Sequence, residues 1–156
     1  MSEEAKTYNK NILIAVDESE NARRAVNYVA QILGGLKGFK VTVLHVISDP
    51  EEDYFPTPEE KDKWLRKHKE KIDRLLKEYK RLLVDAGFPE DAVSTRSTLR
   101  YCPSMAECIL AERDETRHDT IVVGRQGLSR KEQFLFGSIS SKIVNHAGNC
   151  TVWVVS

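Results

Sequence analysis

The sequence lacks the features that mark secreted, membrane-spanning or nucleic-acid-binding proteins. Residues 1–10 are polar with mixed charge, and no apolar run reaches the roughly 18 residues expected of a spanning helix. The 24 basic and 24 acidic residues cancel, which removes the long-range positive field that draws proteins to nucleic acids or anionic membranes. We therefore expect a soluble, cytoplasmic protein with neither a nucleic-acid nor a membrane partner.

Cysteine is scarce, and its pattern matches no familiar site. Cys102, Cys108 and Cys150 are odd in number and fit neither the C-x-x-C motif nor the spacing of zinc ligands. We interpret them as buried or incidental thiols without a redox or metal role. A length of 156 residues suits one compact domain, which we expect to cover residues 1–156.

Two well-known phosphate-binding signatures are also missing. The P-loop pattern Gly-x4-Gly-Lys-Ser/Thr and the dinucleotide pattern Gly-x-Gly-x-x-Gly do not occur. A receiver domain would need an aspartate at the end of its third strand, and here that strand ends Thr98-Leu99-Arg100. These absences disfavour three common nucleotide- or phosphate-handling classes.

Short β-rich apolar runs alternate with amphipathic helical segments along the chain. Helices are predicted after the capping residues Ser19, Thr57 and Ser104, and a last helix opens at Gly137. This alternation predicts an α/β fold with an open parallel five-stranded sheet, right-handed crossovers and helices on both faces. The strands are predicted at residues 12–16, 40–47, 92–99, 120–123 and 151–155.

The ends of two predicted strands indicate where a ligand binds. Asp17 ends the first strand and Gly124 ends the fourth. In open sheets of this class, ligands bind outside the carboxyl ends of the strands, where the strand order reverses. With the strand order 3-2-1-4-5, these two residues are neighbours at that crevice.

A glycine-containing loop follows the fourth strand and returns to a helix. Its pattern is Gly124-x2-Gly127-x9-Gly137-Ser138. Glycines let an anion approach the backbone, and a helix N-terminus offers unpaired N–H groups, so the loop suits a phosphate. Taken singly, the glycines fit structural turns as well. Three further residues either contribute donors to a polyphosphate or are ordinary loop residues: Ser129, Arg130 and Lys131.

The pattern Gly-x2-Gly-x9-Gly-Ser resembles the nucleotide-binding signature of the ATP-binding branch of the universal stress protein family. Residues 12–19 resemble the family's opening strand with its aspartate, residues 44–46 its second strand and residues 136–140 the start of its last helix. The resemblance implies a Rossmann-like fold of the adenine nucleotide alpha hydrolase type. It also implies bound ATP with Mg or Mn, and a homodimer that pairs the final strands, residues 151–155.

The resemblance further assigns the nucleotide contacts, with Asp17 and Val46 at the adenosine and Gly127, Gly137 and Ser138 at the phosphates. A carboxylate suits ribose hydroxyls or an adenine amino group because it only accepts hydrogen bonds. The alternative role for Asp17 is to cap the first helix. The full set of expected contacts is Ala15, Val16, Asp17, Ser19, Val46, Val123, Gly124, Arg125, Gly127, Gly137, Ser138, Ile139 and Ser140.

Two positions depart from the family pattern. Arg125-Gln126 replaces the commoner Ser or Thr followed by His or Arg, and Thr151 stands where a proline often precedes the last strand. The first departure affects loop contacts with phosphate, and the second affects the dimer edge. Trp153 is then either an interface aromatic or part of ordinary sheet packing.

The residues do not by themselves identify an enzyme. His45 lies in a predicted strand near the proposed adenosine, whereas His68, His118 and His146 have no partner at a suggestive spacing. We expect structural or solvent-facing roles for all four histidines. The leading hypothesis is an ATP-binding stress-response regulator. The alternatives are a dimeric interaction module that binds no nucleotide, a slow ATPase or phosphotransfer enzyme, and a protein that holds flavin or another nucleotide in the same crevice.

Overall fold

The computed structural model describes residues 5–50, 54–125 and 138–156, with Ser138 described by its backbone alone. A 3-10 turn, Glu90–Ala92, precedes the third strand. Every predicted strand is present with its ends displaced by at most one residue. The last predicted helix is present from Ser138, whereas Gly137, its predicted first residue, lies outside the described residues. The strands are β1 (Asn11–Ala15), β2 (Lys40–Ser48), β3 (Val93–Arg100), β4 (Thr120–Gly124) and β5 (Thr151–Val155), and the helices are α1 (Glu20–Leu33), α2 (Pro58–Asp85), α3 (Met105–Thr116) and α4 (Ser138–His146).

The five strands form one parallel sheet in the order β3-β2-β1-β4-β5, which confirms the predicted topology. Ala15 of β1 lies beside Leu44 of β2 on one side and beside Val123 of β4 on the other. Because β2 and β4 lie on opposite sides of β1, the strand order reverses at β1. The residues after β1 therefore face the crevice that open sheets of this kind offer to ligands.

Side-chain caps begin three of the helices where the sequence predicts them. Ser19 Oγ accepts the Ala22 N–H at 3.2 Å, Thr57 Oγ1 accepts the Glu60 N–H at 3.2 Å, and Ser104 Oγ accepts the Glu107 N–H at 3.2 Å. Each bond satisfies one of the N–H groups that a helix start leaves without a partner. These caps fix the positions at which α1, α2 and α3 leave the sheet.

Helices cover both faces of the sheet, as alternating side chains along the strands require. In β1, Ile12 and Ile14 face α1 and α2, whereas Leu13 faces α3 and α4. The long helix α2 buries only Ile72, Leu76, Tyr79 and Leu83 against the sheet, so its charge-rich remainder is a solvated face. Among the described helices, none combines the length and the apolar character needed to span a membrane.

The interpretation of the cysteines as thiols is wrong for two of them. Cys102 and Cys108 form a disulfide, with their Cα atoms 5.7 Å apart, and Cys150 is free. The end of β3 and the first turns of α3 converge at this point, which brings the two sulfur atoms together. A separation of six residues carries no recognised pairing pattern, so the contact arises from tertiary structure alone.

Candidate functional site

The turn from β1 into α1 is fixed by hydrogen bonds to its own residues. The Val16 N–H donates to the Leu44 carbonyl at 2.8 Å and extends the pairing of β1 with β2 by one residue. Asp17 Oδ1 then accepts the Ser19 N–H at 2.8 Å. The helix cap itself is Ser19, so Asp17 orients the turn and is not the capping residue. Its carboxylate is held at the carboxyl end of β1.

A cleft of about 190 Å³ opens beside this turn. An apolar cavity of about 150 Å³ is large enough to take a benzene ring, so the cleft has room for one aromatic ring system, with larger substituents outside it. Its walls are mainly aliphatic, with Asp17, Ser19 and His45 as the polar side chains. The expected contact residues that line it are Ala15, Val16, Asp17, Ser19, Val46, Val123, Gly124 and Ile139.

The other expected contact residues do not line the cleft or fall outside the described part. Arg125 follows β4 and donates its backbone N–H to the Val155 carbonyl at 2.7 Å. Ser140 is fully buried within α4. Ser138 begins α4, but its side chain is not among the described atoms, and Gly127 and Gly137 lie outside the described residues. The loop part of the predicted site thus remains a prediction.

Gly124 has a structural reason to be glycine that the loop pattern did not reveal. A Cβ atom at this position would lie well inside van der Waals contact of the Asn21 carbonyl and 3.0 Å from the Ala22 N atom. The first turn of α1 therefore packs directly on the backbone at the end of β4. This close approach brings the α1 start, with Asp17 and Ser19 before it, next to β4 and forms one side of the cleft.

Sequence reasoning missed one whole wall of the cleft. Met105 and Ile109 of α3 line it opposite the β1 turn, and Leu44, His45 and Ala22 complete the lining. Met105 and Ile109 are four residues apart directly after the Ser104 cap, which places them on one face of the helix. The spacing was visible in the sequence, but nothing in it indicated that this face meets the carboxyl end of β1.

His45 is a buried wall residue whose two ring nitrogens both have partners. Nδ1 lies 2.7 Å from the Val16 carbonyl, which only accepts, so Nδ1 carries the proton. Nε2 lies 3.3 Å from Nε2 of His68, and the His68 ring stacks on Trp64 with centroids 5.1 Å apart. Burial lowers the pKa of His45, which favours the neutral ring. The spacing of His45 and His68 in the sequence does not predict this contact, which joins β2 to α2.

The charges around the cleft separate into paired and unpaired groups. Glu18, next to Asp17, is paired with Lys71 of α2 at 2.7 Å. Arg125 has a buried Nε atom that makes no hydrogen bond among the residues the structure describes. Within that part of the chain, no group of three or more His, Cys, Asp and Glu side chains is arranged to hold a metal ion. A cleft of this composition has the shape and the apolar lining to hold an aromatic ring, and its carboxylate can accept hydrogen bonds from polar substituents.

Comparison with known proteins gives consistent family and fold matches. The model of the universal stress protein family matches residues 9–156. A protein of Staphylococcus aureus (strain USA300) that is named as a universal stress protein is 34% identical over 146 residues, which are 94% of this chain and 83% of that protein. The structure of the protein MJ0577 superposes with a TM-score of 0.77 at 26% identity over 96% of both chains.

Two further solved structures share the fold at lower identity and were determined with nucleotides. A universal stress protein in complex with cAMP matches with a TM-score of 0.66 at 21% identity, over 96% of this chain and 98% of that one. The universal stress protein from Archaeoglobus fulgidus in complex with dAMP matches with a TM-score of 0.62 at 18% identity, over 96% and 100% of the two chains. At these identities the likeness is one of fold.

Proposed function

The chain belongs to the universal stress protein family, and we propose that it is an ATP-binding stress-response regulator with its nucleotide at the carboxyl ends of β1 and β4. The observation that carries the proposal is the cleft, which combines aliphatic walls with the Asp17 carboxylate at the point where the strand order reverses. The cAMP and dAMP complexes of two fold neighbours support an adenine nucleotide as the ligand class.

In this proposal the adenine ring packs in the cleft between Val46, Val123 and Ile109, whose side chains supply apolar contact. Asp17 accepts hydrogen bonds from the ribose hydroxyls, since one of its oxygens is already held by the Ser19 N–H and the carboxylate is thereby oriented. The cleft has room for the ring system alone, so the ribose lies at its edge beside Asp17 and the phosphates extend further out. They run toward the end of β4 and the start of α4, between which the glycine loop lies in the sequence.

Arg125 supports an anion near the end of β4. A buried guanidinium N–H without a hydrogen-bond partner is destabilising, and a phosphate oxygen would satisfy it. Gly127, Gly137 and Ser138 are the proposed phosphate contacts on the loop side. A Mg or Mn ion would be held by the phosphates together with groups of the loop, and it would neutralise phosphate charge. Slow hydrolysis of ATP is a secondary possibility that a turnover assay tests directly.

We also propose that the protein forms a homodimer through the outer edge of β5. The Thr151 N–H donates to Asp119 and the Val155 carbonyl accepts from Arg125, so the odd-numbered residues of β5 pair with the rest of the sheet. Because backbone groups alternate in direction along a strand, Val152 and Val154 present theirs outward, where a second β5 can pair. Light scattering, which measures molar mass in solution, tests the dimer.

Our proposal also includes a single domain over residues 1–156 and a cytoplasmic location.

The test of nucleotide binding compares Asp17→Asn with the unaltered protein after bound nucleotide has been stripped. Excess Mg-ATP at about 100 times its dissociation constant should stabilise the unaltered protein by roughly 2.7 kcal/mol, seen as a rise in Tm. The asparagine keeps an oxygen for the Ser19 N–H but loses the charge, so we expect about tenfold weaker ATP binding by calorimetry. Asp85→Asn is the matched control, because the carboxylate of Asp85 is exposed and lies at the last residue of α2, outside the cleft lining.

Ligands of increasing length locate the parts of the site. Adenosine, AMP, ADP and ATP should bind with rising affinity, and GTP should bind more weakly than ATP. Gly127→Val and Gly137→Val should weaken ATP much more than adenosine, because they obstruct only the phosphate side. If no adenine compound raises Tm at millimolar concentration, the ATP-binding proposal is wrong and the interaction-module hypothesis gains support.

A further inference from the structure

The disulfide between Cys102 and Cys108 lies in the same apolar cluster as Met105 and Ile109, the two residues of α3 that line the cleft. It ties the segment that leaves β3 to the first turns of α3. Cys102 is half-buried, whereas Cys108 is 4% exposed and lies inside the apolar cluster on this face of the sheet. The free cysteine, Cys150, directly precedes β5 at the opposite end of the sheet. The chain thus contains both a bonded pair next to the cleft and a thiol away from it.

The bonded segment contains the residues that set the position of one cleft wall. Ser104, which caps α3, and Met105, which lines the cleft, both lie between the two cysteines. Ile109, the second cleft residue of α3, directly follows Cys108. Cys102, Met105 and Cys108 all pack in the same apolar cluster. Any change in the order of this segment therefore acts on the cleft without passing through another element.

We propose that Cys102–Cys108 is a thiol–disulfide exchange site whose oxidation state sets the order of the α3 wall and, through it, the affinity of the cleft. This inference rests on the proposed function for its ligand, an adenine nucleotide. The co-reactant is a low-molecular-weight thiol. The bonded state corresponds to an ordered wall and tight binding, and the reduced state to a looser wall and weaker binding.

The exchange proceeds in two steps that balance. A small-molecule thiolate attacks Cys102 Sγ, the more exposed sulfur, so a mixed disulfide forms while the Cys102–Cys108 bond breaks. Cys108 leaves as a thiolate and takes a proton from water. A second thiolate attacks the small-molecule sulfur of the mixed disulfide and releases Cys102 as a thiolate, which also takes a proton from water. Overall, the protein gains two electrons and two protons, and two small thiols become one disulfide.

The physical link to affinity is the freedom of the short segment between the two sulfurs. A disulfide removes conformations that its loop would otherwise sample, and a ligand that must order a loose wall binds less tightly. We expect reduction to weaken Mg-ATP binding by about tenfold, because the looser Met105 segment must be ordered again on binding. The Ser104 cap remains in both states, so α3 keeps its start and the fold persists.

The experiment compares the full-length protein before and after treatment with a small dithiol. Thiol counting under denaturing conditions should give one reactive thiol, Cys150, in the untreated protein and three after reduction. Calorimetry with Mg-ATP should show tighter binding in the oxidised state, with reoxidation restoring it. The variant with both Cys102→Ser and Cys108→Ser should bind like the reduced protein and not respond to dithiol. Cys150→Ser, the matched control, should respond as the unaltered protein does.

Amide hydrogen exchange separates failure of this inference from failure of the proposed function. Exchange at residues 105–109 should rise on reduction, whether or not a nucleotide binds. Equal exchange in the two states, equal Mg-ATP affinity in the two states, or three reactive thiols in untreated protein would each overturn the inference. If exchange rises but no adenine nucleotide binds in either state, the wall is redox-sensitive as proposed and only the assigned ligand is wrong.

Discussion

The two ends of the sheet use their polar groups in different ways. At the amino end, Asp119 accepts the Asn9 N–H at 2.7 Å, and Arg113 donates to the His118 carbonyl at 2.8 Å, so neighbouring segments are joined by direct bonds. At the carboxyl end, Asp17 bonds only within its own turn as far as the described contacts go, and the Arg125 Nε makes no described bond. At the amino end these polar groups are therefore satisfied within the fold, whereas the carboxyl end keeps a cleft and polar groups that suit a ligand.

The largest expected effect on stability comes from adding a methyl group to Gly124, at the carboxyl end of the sheet. Gly124→Ala places a Cβ against the backbone of Asn21 and Ala22, so α1 must move away from β4. Overpacking of this kind should lower the free energy of unfolding by about 1–3 kcal/mol, or roughly 3 to 10 °C in Tm. Thermal unfolding followed by circular dichroism measures it.

The matched control for this prediction lies at the amino end. A Cβ at Gly148 meets nothing within 4 Å, so Gly148→Ala should leave Tm nearly unchanged. Equal changes in the two variants would mean that close packing does not distinguish the two ends. If Gly124→Ala also weakens Mg-ATP binding more than its loss of stability explains, the displaced α1 start has altered the cleft.

The fold follows from local patterns in the sequence, but the site follows only in part. Apolar strand runs and the caps Ser19, Thr57 and Ser104 fixed the elements and their bounds, because those signals lie within a few residues. The strand order then placed Asp17 beside Gly124. The glycine-loop contacts at residues 126–137 remain predictions, since that part lies outside the described residues.

The features that the sequence analysis missed are contacts set by the tertiary structure. They either join elements that are distant in the sequence or have no recognisable sequence pattern. The Cys102–Cys108 bond depends on how β3 turns into α3, and the His45–His68 contact joins β2 to α2. Both contacts require the helix positions on the sheet, which periodicity does not supply. Gly124 shows the same limit, because its need for glycine comes from Asn21 of another element and not from the loop that it begins.

A smaller effect on stability is expected when the pH is lowered, because His45 and His118 are buried at opposite ends of the sheet. Burial is the main cause that lowers the pKa of His45 and also that of His118, which lies between Thr116 and Thr42. The unfolded chain binds these protons more readily, so their contribution to stability is complete above about pH 6.5 and is lost as the pH falls below it. Each histidine contributes a slope of at most about 1.4 kcal/mol per pH unit.

Urea unfolding at pH 8, 6.5 and 5.5 checks this slope. His118→Gln should reduce the loss of stability on acidification with or without nucleotide, because that ring lies away from the cleft. His45→Gln should reduce it too, but bound Mg-ATP should change only the His45 part, since His45 lines the cleft. A stability that stays constant over this range would contradict the prediction for both ends, and an equal response to nucleotide would remove the distinction between them.

The smallest expected effect is at the amino-end carboxylate Asp119. The Asn9 N–H, and then Lys6 and Arg113, hold the pKa of Asp119 below its usual value. Its folded pKa is thus lower than its unfolded value of about 3.9, so its contribution to stability is complete above that value and is lost as the pH falls through the folded pKa. Asp119→Asn should therefore lower the urea midpoint slightly at pH 7, and the difference from the unaltered protein should shrink at pH 3. High salt should reduce the part due to Lys6, whose ion pair is partly exposed. A difference that is the same at both pH values would show that the amino end is joined by neutral hydrogen bonds alone, with its charges playing no part.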